Sequence, residues 1–86
     1  MSNVLFFTKA NCPLCDEAFD LVELLAEQYQ LKVKVVDIYS DEDLLAEYQL
    51  KIPVVQIQGE ELYGDRLTYE QLEQVIQSAC SSHPLD

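Results

Sequence analysis

Two cysteines separated by two residues are the groups in this sequence best suited to chemistry. Cys12 and Cys15 follow a short apolar run and begin a long amphipathic segment, which predicts a dithiol at a strand-to-helix turn. Pro13 suits the first helical position, because it has no N–H to leave unpaired. The first turn of a helix carries unpaired N–H groups and positive potential from the helix dipole. Cys12 is therefore expected to form a thiolate more readily than a free cysteine does.

The pair allows three interpretations. It could be a redox-active dithiol, half of a metal site, or two small buried side chains. A structural zinc ion needs four ligands, and the sequence offers only Cys80 and His83 besides, both near its far end. A C-x-x-C next to a strand–helix–strand pattern is typical of redox dithiols, so the redox interpretation is favoured.

The composition bounds the class of protein. The chain has 86 residues, 49% of them hydrophobic, which predicts one small folded domain over residues 1–86. A net charge of −11 with only five basic residues disfavours nucleic acid as a partner. No apolar run is long enough to cross a membrane, and the N-terminus lacks the pattern of a secretory signal. The expected location is a reducing cytoplasm, where a C-x-x-C is more often catalytic than structural.

Seven elements are predicted to position the cysteines. Apolar β-branched runs predict strands, and apolar positions at helical spacing predict helices. Gly59-Glu60 is a hairpin turn signal, and Ser40 and Thr68 are the expected N-caps of the second and third helices. The elements cover residues 4–8, 13–30, 32–38, 41–48, 54–58 and 61–63, followed by a helix between Thr68 and Cys80. The order βαβαββα predicts an α/β fold, with a four-stranded mixed sheet and helices on both faces.

At this point the sequence resembles the glutaredoxin-like group of thioredoxin-fold proteins. Three stretches carry the resemblance, namely Cys12-Pro13-Leu14-Cys15, Val36-Asp37-Ile38 and Ile52-Pro53-Val54. Their order and separation match the group over nearly the whole chain, from Val4 to Ala79. The resemblance implies a thioredoxin/glutaredoxin-like fold with a cis peptide bond between Ile52 and Pro53. It also implies that this loop faces the dithiol and that its backbone pairs with a bound substrate.

The resemblance further implies thiol–disulfide oxidoreductase activity on protein or mixed disulfides. Cys12 would be the nucleophile and Cys15 the resolving thiol. The expected substrate-binding residues are Lys9, Pro13, Leu14, Ile52, Pro53, Gly64 and Asp65. No tightly bound cofactor and no metal are expected. The electron donor would be a reductase or glutathione, the latter possible as a weak cosubstrate, and the protein is expected to be a monomer. The alternative is a thioredoxin-fold binding module that docks a partner, or holds a metal or iron–sulfur cluster, with little or no turnover.

Three positions depart from the pattern of ordinary glutaredoxins. Leu14 stands where an aromatic residue is typical, and Lys51 stands where a threonine is usual. Tyr63 replaces the first glycine of the pair that binds glutathione, whereas Gly64 and Asp65 match that stretch. A side chain at Tyr63 occupies a place where backbone must approach the ligand closely. Weak glutathione binding is therefore expected.

Overall fold

A four-stranded sheet forms the centre of the protein. The computed structural model describes residues 3–81, and the side chains of residues 3–79. Its strands are β1 (Asn3–Thr8), β2 (Lys32–Asp37), β3 (Val54–Ile57) and β4 (Glu60–Tyr63), and its helices are α1 (Pro13–Tyr29), α2 (Glu42–Tyr48) and α3 (Tyr69–Ser81). The strand order is β2-β1-β3-β4, with β1 parallel to β2 and antiparallel to β3. This confirms the predicted βαβαββα order and the mixed sheet.

Helices cover both faces of the sheet, and the alternation of side chains along β1 shows how. Val4 and Phe6 belong to the core cluster that also contains the buried residues of α1 and α3. Phe7 points to the opposite face, where it packs in a second cluster with Ile38 and Tyr48. Successive side chains of a strand point to opposite faces, so one short strand contributes to both layers of the core.

Helix α1 is amphipathic along its whole length. Its buried residues are Cys15, Ala18, Val22, Leu25 and Ala26. The helix ends where Gln30 adopts a left-handed conformation (φ 57°) and donates its N–H to carbonyls of the last turn. Within residues 3–81, no helix is both long and apolar enough to cross a membrane.

The segment between β2 and α2 differs from the prediction. Asp41, and not Ser40, caps α2, because its carboxylate accepts the N–H of Asp43 at 2.7 Å. The Ser40 hydroxyl instead donates to the carbonyl of Asp37 at 2.6 Å. That contact belongs to a single 3-10 turn over Ile38–Ser40, so β2 ends one residue earlier than expected.

The β3–β4 hairpin also turns one residue earlier than predicted. Its two loop residues are Gln58 and Gly59, with φ values of 49° and 86°, and Ile57 pairs directly with Glu60. Two consecutive residues with positive φ are typical of the type I′ turn, whose twist matches that of the strands it joins. Glu60 therefore lies in β4 rather than in the turn.

Tyr48 links α2 to the sheet through a partly buried hydrogen bond. Its ring stacks on Phe7 with centroids 4.5 Å apart. Its hydroxyl donates to the carboxylate of Glu61, which also accepts the Gln56 amide at 3.1 Å. The hydrogen bond to Glu61, together with burial, raises the pKa of Tyr48 to about 12.

We expect Tyr48→Phe to lower the free energy of unfolding at neutral pH by about 1.5–3 kcal/mol, the usual range for a hydrogen bond to a charged group. The pKa of Tyr48 is higher in the folded than in the unfolded chain, so its contribution is complete below about pH 10. It is lost as the pH rises toward about 12. Urea unfolding of the oxidised protein should be measured at several pH values, from neutral pH toward the pKa of Tyr48. The difference in the free energy of unfolding between Tyr48→Phe and wild type should become smaller as the pH rises. Tyr39→Phe is the control, because its ring is exposed, and a constant difference for Tyr48→Phe would contradict the assignment.

Candidate functional site

The predicted dithiol lies at the N-terminus of α1. Cys12 is the N-cap, in an extended conformation, and its Sγ accepts the N–H of Cys15 at 3.2 Å. Pro13 is the first helical residue, and the N–H of Asp16 closes the first helical turn on the Cys12 carbonyl at 3.0 Å. The sulfur of Cys12 therefore sits among the N–H groups that a helix leaves unpaired.

The two cysteines form a disulfide but differ in accessibility. Their Cα atoms are 5.1 Å apart, within the ordinary range for a bonded pair. Cys12 is half-buried, whereas Cys15 is 1% exposed and belongs to the core cluster with Phe6 and Val22. A molecule approaching from solvent reaches the sulfur of Cys12 first.

The turn before the disulfide places Lys9 on the surface. Asn11 adopts a left-handed conformation (φ 57°), which asparagine tolerates better than most residues. Lys9 and Asn11 are both exposed. Lys9, one of the expected substrate-binding residues, precedes Cys12 by three residues but does not line the cleft described below.

The loop before β3 lies at the same end of the sheet as the disulfide, because β3 begins where β1 ends. Val54 pairs with Phe7, one residue before the end of β1, and the chain then leaves β1 toward Cys12. The peptide bond between Ile52 and Pro53 is cis, as the resemblance implies. The N–H of Ile52 donates to the carbonyl of Tyr48 at 3.1 Å. Because this N–H is already used, Ile52 can form a backbone hydrogen bond with a second chain only through its carbonyl, as an acceptor.

A cleft beside the disulfide brings together five of the residues predicted to bind substrate. It has a volume of about 640 Å³ and is lined by Leu14, Ile52, Pro53, Gly64 and Asp65, among others. Lys9, Pro13 and the two cysteines are not among its lining residues. Leu14 lies between the two cysteines in the chain, so it connects the cleft to the disulfide.

Other residues of the cleft were not predicted as binding residues. Leu50 and Glu17 both line it, and Leu50 is 95% exposed. Leu14, which was predicted to bind substrate, is 67% exposed, whereas the neighbouring Cys15 takes the core position. The sequence did offer one signal that Leu50 lies on the cleft. It is an apolar residue that belongs to no helical stripe and stands three positions before Pro53.

Lys51 is the cation among the residues that line the cleft, and it already has partners. Its ammonium lies 3.5 Å from a carboxylate oxygen of Glu47. It also lies 5.5 Å from the centre of the Tyr63 ring, within the range of a cation–π contact. Tyr63 lines the cleft just before Gly64, whose φ is 62°. Lys51 and Tyr63 thus form one wall, in place of the threonine and glycine of ordinary glutaredoxins.

A metal site would need ligands beyond the cysteine pair. Over the part of the chain that the structure describes, no three His, Cys, Asp or Glu side chains are grouped so as to hold a metal ion. The side chain of Cys80 and the whole of His83 lie outside the described residues.

Comparison with known proteins identifies the family. Residues 3–77 match the sequence profile of the glutaredoxin-like domain (DUF836). The chain belongs to this family. The glutaredoxin-like protein thus has the fold and the cysteine pair that its sequence predicts.

The glutaredoxin-like protein is also similar to solved structures. One is the X-ray structure of Northeast Structural Genomics target protein XcR50 from X. campestris, with 28% identity and a TM-score of 0.70, covering 88% of this chain and 97% of that one. Another is a mutant thioredoxin from Halobacterium salinarum, with 24% identity and a TM-score of 0.72, covering 91% and 74%. Oxidised thioredoxin O2 from Arabidopsis thaliana has 22% identity and a TM-score of 0.65, covering 91% and 74%. The two thioredoxins establish the thioredoxin-like fold, and no curated protein matches the sequence.

Proposed function

We propose that the protein is a thiol–disulfide oxidoreductase that reduces protein or mixed disulfides and contributes to redox homeostasis. One observation carries the proposal. A disulfide lies at the N-terminus of α1, formed by the half-buried Cys12 and the fully buried Cys15, near a cleft that Leu14, Ile52 and Pro53 line. This asymmetry gives the two thiols different roles.

The proposed reaction begins from the reduced protein. The thiolate of Cys12 attacks one sulfur of the substrate disulfide, and the other substrate sulfur leaves as a thiolate that takes a proton from water. Cys15 then loses its proton and attacks Sγ of Cys12, which breaks the mixed disulfide and expels the second substrate thiolate. Two electrons pass from the protein to the substrate, and the Cys12–Cys15 disulfide remains.

The cleft would hold the substrate during attack. Leu14 and Pro53 offer apolar contact, and the carbonyl of Ile52 can accept a hydrogen bond from an extended substrate segment. Gly64 and Asp65 lie on the same cleft. Pro13 and Lys9, exposed beside the cysteines, would contact parts of the substrate that extend beyond it.

The catalytic cycle needs a donor that returns two electrons. That donor would be a reductase or two molecules of glutathione, in a reducing cytoplasm and with the protein acting as a monomer without a bound cofactor. The test is reduction of an insulin-type disulfide and of a glutathione mixed disulfide, with thioredoxin reductase and glutathione supplied separately. Turnover with either donor supports the proposal. Absence of turnover with both would count against it.

We expect glutathione itself to bind weakly. The tripeptide is anionic and the protein carries a net charge of −11, so the long-range field opposes its approach. Lys51 is already close to Glu47, and an exposed ion pair contributes less than ~1 kcal/mol in any case. Titration of the protein with glutathione, followed by amide chemical shifts, should give small shifts without saturation in the millimolar range. Saturable shifts at Ile52 and Gly64 with sub-millimolar affinity would contradict this.

A further inference from the structure

Exposed apolar side chains surround the cleft next to the disulfide. Leu14 is 67% exposed, Leu50 95% and Tyr63 41%, and all three line the same cleft. Covering a large apolar side chain is favourable compared with leaving it in water. Neighbouring apolar side chains left exposed around a reactive group indicate a surface that another molecule covers.

The charges on this cleft are unbalanced in favour of anions. Glu17 and Asp65 line it, and both are exposed. Lys51 also lines it, but the carboxylate of Glu47 lies 3.5 Å from its ammonium and offsets its charge. A cationic group entering the cleft would meet two carboxylates, whereas an anionic group would be repelled.

The backbone of the loop supplies little selectivity. Because the N–H of Ile52 donates to Tyr48, its carbonyl is the backbone group of that residue that can pair with a bound segment. A hydrogen bond to a backbone carbonyl is the same for almost every peptide sequence. Discrimination between substrates then depends on the apolar and acidic side chains of the cleft.

We propose that the cleft selects protein disulfides whose reacting cysteine is flanked by an apolar residue and by a lysine or arginine. The occupant is an extended segment of the substrate protein, with its apolar side chain against Leu14 and Leu50 and its basic side chain near Glu17 and Asp65. A cleft of about 640 Å³ is of the size that holds such ligand groups. The proposal rests on the function proposed above, since it names the substrate class of the same dithiol.

The test uses capped pentapeptides whose central cysteine is a mixed disulfide with 2-mercaptoethanol. One peptide has leucines next to the cysteine and lysines outside them, a second replaces the lysines by glutamates, and a third replaces the leucines by serines. The second-order rate constant for each peptide is measured in a single turnover of the fully reduced protein, which is itself the reductant, and is divided by the rate constant for reduction of the same peptide by dithiothreitol. This division removes differences in intrinsic reactivity. At an ionic strength of about 0.1 M, where the screening length is about 10 Å, we expect the lysine–leucine peptide to exceed the glutamate peptide by about tenfold and the serine peptide by about fivefold.

Paired variants separate the cleft from the overall charge of the protein. Glu17→Gln combined with Asp65→Asn removes two negative charges from the cleft. Glu27→Gln combined with Glu42→Gln removes two from exposed positions that do not line it. The preference for lysine over glutamate should fall at least about threefold in the first pair and change little in the second, because charges outside the cleft reach the peptide only through the long-range field, which salt screens.

Three outcomes would overturn the proposal. Equal normalised rates for the three peptides would show that the cleft does not discriminate, while reduction of the neutral hydroxyethyl disulfide would leave the proposed function intact. An equal loss of preference in both pairs of variants would assign the effect to the long-range field rather than to the cleft. If the protein reduced neither the peptides nor the hydroxyethyl disulfide, both the proposed function and this inference would be wrong.

Discussion

Replacement of Cys12 by serine should abolish disulfide reduction. A serine hydroxyl does not ionise near neutral pH and cannot attack a disulfide sulfur, so no mixed disulfide forms. Serine is a favourable N-cap, and its oxygen can accept the N–H of Cys15 as Sγ of Cys12 does. The loss should therefore appear in turnover of an insulin-type disulfide with nearly unchanged thermal unfolding of the reduced protein.

Cys80→Ser is the matched control for this variant. It removes a thiol that is not part of the Cys12–Cys15 pair, and its turnover should equal that of the wild type. Residual turnover in Cys12→Ser comparable to wild type would mean that the accessible sulfur is not the nucleophile.

Replacement of Cys15 should instead trap the reaction half-way. Attack by Cys12 survives, but the thiol that resolves the mixed disulfide is missing, so one substrate thiol should remain attached to each protein molecule. Mass spectrometry under non-reducing conditions should show close to one adduct per chain, and dithiothreitol should release it. Because Cys15 is 1% exposed, a buried serine hydroxyl there would cost about 1–3 kcal/mol, and Cys15→Ala is a second variant without this cost.

The pattern of adducts also checks the assignment of the two thiols. If Cys12→Ser accumulated the adduct while Cys15→Ser and Cys15→Ala did not, the roles proposed here would be reversed. The difference in burial between the two sulfurs makes that outcome unexpected.

The sequence was sufficient for the parts of the site that local structure determines. Pro13 at the first helical position, Cys12 as the N-cap and Cys15 one turn later follow from the spacing of a few neighbouring residues. The N-cap role of Thr68 is local in the same way, and its hydroxyl accepts the N–H of Gln71 at 3.2 Å. The cis bond before Pro53 was predicted from the resemblance alone.

The turns show where local signals were ambiguous. Ser40 and Asp41 are both good N-cap residues, and the choice between them depends on the 3-10 turn that follows β2. Gly59 predicted a hairpin turn, but whether Gln58 or Glu60 accompanies it is decided by strand register and twist.

One wall of the cleft depends on a contact that no short stretch of sequence contains. The Glu47–Lys51 pair is local, since its members are four residues apart. Lys51 lies over the Tyr63 ring, however, only because the loop before β3 lies beside the end of β4. The departures at Lys51 and Tyr63 were visible in the sequence, but their contact with each other was not.

The most direct test of the account is a single-turnover transfer of electrons. The fully reduced protein is mixed with an insulin-type disulfide in the absence of any other donor, the reaction is stopped with acid, and free thiols are alkylated for mass spectrometry. We predict that each substrate disulfide reduced yields two substrate thiols and one Cys12–Cys15 disulfide, far faster than the uncatalysed reaction with glutathione. A substrate that stays oxidised while Cys12 and Cys15 remain thiols, although dithiothreitol reduces the same substrate, would contradict the account.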